Sequence, residues 1–262
     1  MQFSFDLISD LHVETWDQFD WTHQPTSPYC VVAGDVSQDR KLLAQTLKHL
    51  GECYQGVFFI DGNDEHRNYL ENLGQSYKDL RRYVDKFKNV VFMQENVVVV
   101  NGVAFLAANG WWSFDMNPMI NREESMAWFH ARYGVNTAVG PQVISMALND
   151  AAYLHHSIKK LQMHQDVKTI VIVSHTVPTP YVIDHDLELE GHYRFNTTGN
   201  PHLQAVLDAD TEGKIKTWCF GHYHRSVDRV IDGVRYVNNC RVRGNTPWCQ
   251  YAYFPKRITI DY

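Results

Sequence analysis

The sequence predicts an α/β protein in which two mixed β-sheets stack with helices outside them. Three observations carry that reading. Short apolar strand-like runs alternate with helical patterns from residue 3 to residue 88, a longer amphipathic segment precedes another apolar run, and two Asx-Gly dipeptides join strand to strand.

The first strand is FSFDLIS at 3 to 9, followed by YCVVA at 29 to 33, GVFFID through residue 61, and VKTIVIVS at 167 to 174. Each is rich in β-branched or aromatic residues and runs out into polar ones, the pattern of a strand buried on both faces. Residues 38 to 50 read as a helix with Ser37 as N-cap and Gly51 as its stop. From 66 to 88, Tyr69, Leu70, Leu73, Tyr77, Leu80, Val84 and Phe87 fall on one helical stripe. A third helix over 142 to 163 follows Pro141 and places Ile144, Ala147, Leu148, Ala151, Leu154, Ile158 and Leu161 on one face. Asn101-Gly102 and Asp232-Gly233 each lie between two apolar runs and predict hairpins. A single doubly wound sheet would not need them, hence two sheets.

The chain has 262 residues, 44% apolar and 21% charged, with no Pro/Gly/Ser-rich linker and no repeat to divide it, so residues 1–262 are expected to form one domain. MQFSFDLISDLH enters a strand pattern at once, and no apolar run reaches about 18 residues, so the expected location is cytoplasmic and no membrane partner is expected. The five cysteines, Cys30, Cys53, Cys219, Cys240 and Cys249, contain no CxxC pair, which excludes a zinc knuckle and a disulfide framework and leaves them as expected buried apolar groups. A net charge of -6 disfavours charge-driven binding to nucleic acid. Oligomeric state leaves no trace in the sequence.

The strand exits carry the chemistry. Asp10 and His12 lie in SDLH, Asp35 in AGD, Asn63 in GND, His175 in SHT, and His222 and His224 in GHYH. Strand ends in an α/β protein converge on one edge, so residues far apart in sequence can share a site. All seven are oxygen or imidazole donors without a thiolate. Such a set suits manganese or iron first, then zinc, cobalt or magnesium, and argues against a structural zinc site.

These blocks, in this order, resemble the calcineurin-like metallophosphoesterase family, whose pattern is D-x-H, G-D, G-N-H-E/D, a strand-ending H and G-H-x-H. Each block is weak alone; five in order at strand ends are specific, and WWSFD at 111 to 115 and NNCR at 238 to 241 resemble a bacterial and phage-type branch. The resemblance implies a four-layer αββα sandwich and two metal ions. Asp10, His12 and His224 would hold one, Asn63, His175 and His222 the other, with Asp35 bridging. It further implies hydrolysis of a small phosphomonoester or phosphodiester by a metal-activated hydroxide, with the Asn63 amide also donating to the phosphate.

The chain departs from the pattern where Asp64 stands in place of the motif's histidine, the residue that protonates the leaving group or steadies the phosphate. His66, two residues on, is the candidate to take over that role, against a solvent-facing histidine in the first helical turn. Near two cations the Asp64 carboxylate is expected to be charged, a poor general acid that repels a monoester dianion; activated diesters are then expected over monoesters. Arg241 and Asn239 are further candidates to meet a phosphate. Trp16, Phe19, Trp21, Trp111 and Trp112 are cleft or core aromatics, Asp6 is expected to be a buried, hydrogen-bonded acid, His155, His156 and His164 read as a solvated helix face, and His185 and His192 belong to a long acidic loop, expected to be mobile rather than to approach the site from above. The alternatives to a phosphoesterase are a nuclease of the same fold, disfavoured by the lack of a basic stripe, and an interaction scaffold, disfavoured by the full ligand set.

Overall fold

Side-chain alternation sorts the strands into two sheets packed face to face. A computed structural model describes residues 2–17, 25–183 and 192–262; Phe19, Trp21 and His185 lie outside them. The first sheet contains β1 (Gln2–Ile8), β2 (Tyr29–Ala33), β3 (Gly56–Ile60), β4 (Val90–Phe92) and the late strand β11 (Lys256–Asp261), in the order β11-β1-β2-β3-β4. The second contains β5 (Asn96–Val100), β6 (Val103–Ala107), β7 (Thr169–Val173), β8 (Ile215–Phe220), β9 (Asp228–Ile231) and β10 (Val234–Asn238), in the order β5-β6-β7-β8-β10-β9. Both are mixed. β1 to β4 run parallel with β11 antiparallel at the edge, and β6, β7, β8 and β10 run parallel between antiparallel β5 and β9.

Successive side chains leave a strand on opposite faces, and here both faces are apolar. Val31 and Ala33, Phe58 and Ile60, Phe105 and Ala107, and Val171 and Val173 all point into the layer between the sheets. Phe105 sits near its centre, with ring centroids 4.6 Å from Phe58, 5.2 Å from Phe5 and 5.8 Å from Phe3. The alternate residues Cys30, Val32, Val57 and Phe59 face outward beneath α1 (Arg40–Cys53) and α2 (Leu73–Val84). On the other sheet Ala104, Leu106, Ile170 and Ile172 pack beneath α4 (Val139–Leu161) and α5 (Gln204–Asp208). The layers are therefore helix, sheet, sheet, helix, the expected sandwich.

Both hairpins form as expected. Asn101 and Gly102 (φ 50° and 83°) and Asp232 and Gly233 (φ 49° and 81°) take the paired left-handed conformations of a tight turn. The helices differ more. α1 is capped by Asp39, whose carboxylate accepts from the Lys41 and Leu42 amides, rather than by Ser37, and it runs through Gly51 to Cys53. The helix expected over 66 to 88 is two elements, a 3-10 stretch Asp64–Asn72 and then α2, because Asn72 caps a fresh start through the Gln75 amide and Tyr69 leaves helical geometry. α3 (Arg122–Tyr133) was not foreseen; its signals are the Asn121 cap, two glutamates in the first turn and Gly134 at its end. Among the described residues no helix is long and apolar enough to cross a membrane.

Candidate metal centre

The loops leaving β1, β2, β3, β7 and β8 meet at one edge of the sandwich. Two close-approach glycines let them meet. Gly34 has φ 83°, and a Cβ there would strike the His175 ring and Gly62; a Cβ on Gly62 would strike Asp35. Four candidate ligands also hold left-handed backbone, Asp10 (φ 49°), His12 (43°), Asp35 (51°) and His222 (62°). Non-glycine residues rarely adopt it, and such strain concentrates at functional sites.

The side chains converge in two groups that share one carboxylate. Asp10, His12, Asp35 and His224 bring four donor atoms within 4.8 Å of one another, Asp35, His175 and His222 bring three, and His12, Glu14 and Asp64 form a further group of three beside them. The His12 and His224 Nε2 atoms face each other at 3.3 Å, and His224 Nε2 lies 3.2 Å from Asp10 Oδ1. Asn63 Oδ1 lies 3.2 Å from His175 Nε2, so all seven expected ligand positions gather at this edge.

Outer contacts fix how the rings point. His175 Nδ1 donates to the Ala33 carbonyl at 2.9 Å, turning Nε2 to Asp35 and Asn63. His222 Nε2 donates to the Thr197 carbonyl at 2.9 Å, leaving Nδ1 for the site, and its ring stacks on Trp112. Glu65, the acid that closes GNDE, accepts from four backbone amides, those of Asp35, Val36, Ser37 and Gly62, and so ties the β2 and β3 exits together.

The electrostatics follow from this crowding. Burial pushes the Asp10 carboxyl up, but the His224 hydrogen bond and the charges of His224 and His175 outweigh it and bring it down to about 2. Burial opposes charge on His175 as well, yet Asp35 and Asp10 raise it to about 10. His222 goes the other way, down to about 4, because burial and the neighbouring His175 charge act together. Burial likewise opposes a charge on His12, and Asp64 and Asp35 overcome it to raise that ring.

Four of the sequence candidates sit otherwise than expected. His66 does not face solvent and does not reach toward the site: it is fully buried, with Nε2 2.9 Å from Asp61 and Nδ1 2.7 Å from Ser76. Asp64 is not the bare anion expected beside the phosphate. Its buried carboxylate accepts from Asn63 Nδ2 (3.0 Å), Arg67 (3.3 Å) and Arg243, and lies 3.2 Å from His12 Nδ1. Arg241 is 6% exposed with its guanidinium 3.8 Å over the Trp16 ring; the arginine that reaches the GND loop is Arg243. Asn239 donates to the Leu7 and Phe254 carbonyls, a structural role.

The remaining aromatics and acids divide cleanly. Trp111 and Trp112 are core, Trp16 is half-buried, and Asp6 accepts from Thr26 and Tyr54 as expected. Of the cysteines, Cys30, Cys219 and Cys240 are buried, but Cys53 is exposed and Cys249 partly so. Arg67, Arg243 and Thr197 went unsuspected; Arg67 sits inside the GNDEHR stretch itself, whereas the Thr197 carbonyl has no sequence signal.

The architecture has solved counterparts. A phosphopantetheinyl hydrolase from Mycobacterium tuberculosis superposes with TM-score 0.66 at 18% identity, over 94% of each chain. A dimetal phosphatase from Danio rerio superposes with TM-score 0.54 at 12% identity, over 98% of this chain and 91% of its own. At these identities the likeness establishes the fold. No protein-family model and no curated sequence matches the chain.

Proposed function

We propose that residues 1–262 form a single metallophosphoesterase domain that hydrolyses a small phosphate ester with two metal ions. The observation that carries the reading is Asp35, which belongs to both donor groups at once. Asp10, His12, Asp35 and His224 would hold one ion, and Asp35, Asn63, His175 and His222 the other. The residues fit such ions: carboxylates and imidazoles are packed nitrogen to nitrogen and nitrogen to oxygen, and the tautomers of His175 and His222 are set by backbone carbonyls as ligating histidines require. The oxygen and imidazole set favours manganese or iron over a thiolate-seeking metal.

When bound, such a pair supplies Lewis acidity toward phosphoryl oxygens and lowers the pKa of water. The chain's own residues do the rest. Ala33 and Thr197 hold the rings, Glu65 holds the loops, and Asn63 gives one amide hydrogen to Asp64 and has a second to offer a phosphoryl oxygen. The fold of the two solved counterparts, whose names are a hydrolase and a phosphatase, supports the reading.

The test is metal-stripped protein reloaded with manganese, iron, zinc or magnesium and assayed on p-nitrophenyl phosphate and bis(p-nitrophenyl) phosphate. Metal-dependent release of nitrophenol, lost in Asp35→Asn, is expected. No hydrolysis with any metal would leave the scaffold reading in its place.

A further inference from the structure

Asp64 gathers two arginines from distant parts of the chain. Arg67 arrives from the 3-10 stretch after β3, and Arg243 from the loop that follows β10. The carboxylate between them is fully buried, whereas the Arg67 and Arg243 side chains are 39% and 26% exposed, so the guanidinium groups form the outward layer of the cluster. Glu14 joins Asp64 around His12, 3.9 Å from its Nδ1, so the two arginines stand against two acids, and what faces outward is the pair of partly exposed guanidinium groups. The same Asp64 oxygen accepts from both Asn63 and Arg67, which sets that guanidinium beside the amide, and the other oxygen lies against His12.

The backbone is bent to achieve this. Val242, β-branched and buried, has φ 73°, a conformation such residues scarcely tolerate. Its amide is pinned to the Asp10 carbonyl at 2.9 Å, so the turn that sends Arg243 back to Asp64 is anchored on the first ligand loop. Charge compensation for Asp64 alone would not require strained chain at Val242 and a second arginine.

We propose that Arg67 and Arg243, held in place by Asp64, are an anion clamp that receives the phosphoryl group of a dianionic phosphomonoester. The inference rests on the phosphoesterase reading and reverses the diester preference expected from the sequence, since Asp64 is not a bare anion facing the substrate but is covered by two partly exposed guanidinium groups. A guanidinium has five N–H donors; the pairing with Asp64 engages one terminal nitrogen of each group and tethers it there, which leaves other N–H donors to meet phosphoryl oxygens.

The probe is inorganic phosphate, titrated calorimetrically into metal-free and metal-loaded full-length protein, with metal content measured in parallel. Arg243→Gln and Arg67→Gln are each expected to weaken phosphate binding about ten-fold, the loss of one charge-assisted contact, with metal content unchanged. KM for p-nitrophenyl phosphate is expected to rise more than KM for bis(p-nitrophenyl) phosphate. Arg243→Lys keeps the charge opposite Asp64 and is expected to lose less; it replaces the glutamine variant if that one does not fold. Unchanged phosphate affinity alongside a lowered Tm would overturn the clamp, as would wild-type protein that binds no phosphate with or without metal. Protein that takes up no metal yet loses phosphate binding on Arg243→Gln would keep the clamp and discard the hydrolase.

Discussion

Removing the Asp35 carboxylate acts on both donor groups at once, so Asp35→Ala is expected to lower the metal content of both, whereas His224→Ala lowers one. Elemental analysis after reloading checks this; a variant that kept two ions per chain would show that Asp35 is not shared. His66 tests the opposite idea, that a buried histidine near the site serves the fold. His66→Ala removes one partner each from Asp61, which keeps Tyr77 and Asn109, and from Ser76, and opens a cavity, an expected cost of about 2 to 4 kcal/mol in urea unfolding with turnover of the folded enzyme within a few-fold. Turnover lost by about a hundred-fold at unchanged stability would restore it to the chemistry. The strand-exit residues were legible because a strand's end is visible as the switch from apolar to polar residues. The Asp64–Arg243 contact was not, since it spans 179 positions and depends on a loop conformation that no periodicity encodes.

At the scale of elements, strands read true and helix boundaries did not. Strand limits follow from apolar runs with both faces buried, and β1, β2, β3 and β7 fall within about two residues of the runs that signal them; β4 and β8 have no such bounds in the sequence reading, nor has β11, whose alternating KRITID at the sheet edge carries too little apolar signal. Helix ends are set by single side-chain caps. Ser37 was a plausible cap by type, but its hydroxyl accepts from the Asp39 amide and Asp39 caps the helix instead. Asp39→Ala is therefore expected to cost about 1 kcal/mol, and Ser37→Ala less through the helix itself; paired urea melts distinguish them. An equal loss in both would point to a shared capping network rather than one residue.

At the scale of the molecule, the crowded edge makes stability and metal loading depend on pH. In metal-free protein His175 is raised from 6.5 to about 10, so its contribution is fully present below about pH 6.5 and is lost as pH rises through 10. Asp10 is lowered from 3.8 to about 2, so its contribution is present above 3.8 and is lost as pH falls through 2. Maximal stability is expected between these limits, with decline on the alkaline side; urea melts of stripped protein that strengthened from pH 7 to 10 would contradict it. A ligating His175 must be neutral, so loading at pH 7 is expected to release a proton, seen as a buffer-dependent heat in calorimetry. The sandwich itself was legible from hairpins and alternating runs. The contact of Phe3, Phe5 and Phe58 with Phe105 between the sheets was not, because sequence does not say which sheet faces which.

The two glycines at the β2 and β3 exits also bear on how such a protein diversifies. Gly34 and Gly62 leave no room for a side chain between the ligand loops, so mutational drift at that inner edge is closed off. The loop after β10 is constrained at its start, where Val242 is anchored and a Cβ on Gly244 would strike the Thr15 carbonyl, but farther along it Trp248 and Tyr251 are exposed. Acquisition of new substrates would then proceed by exchanging that rim while the inner edge stays frozen, and a library confined to residues 245–251 is where a selection for altered specificity should begin.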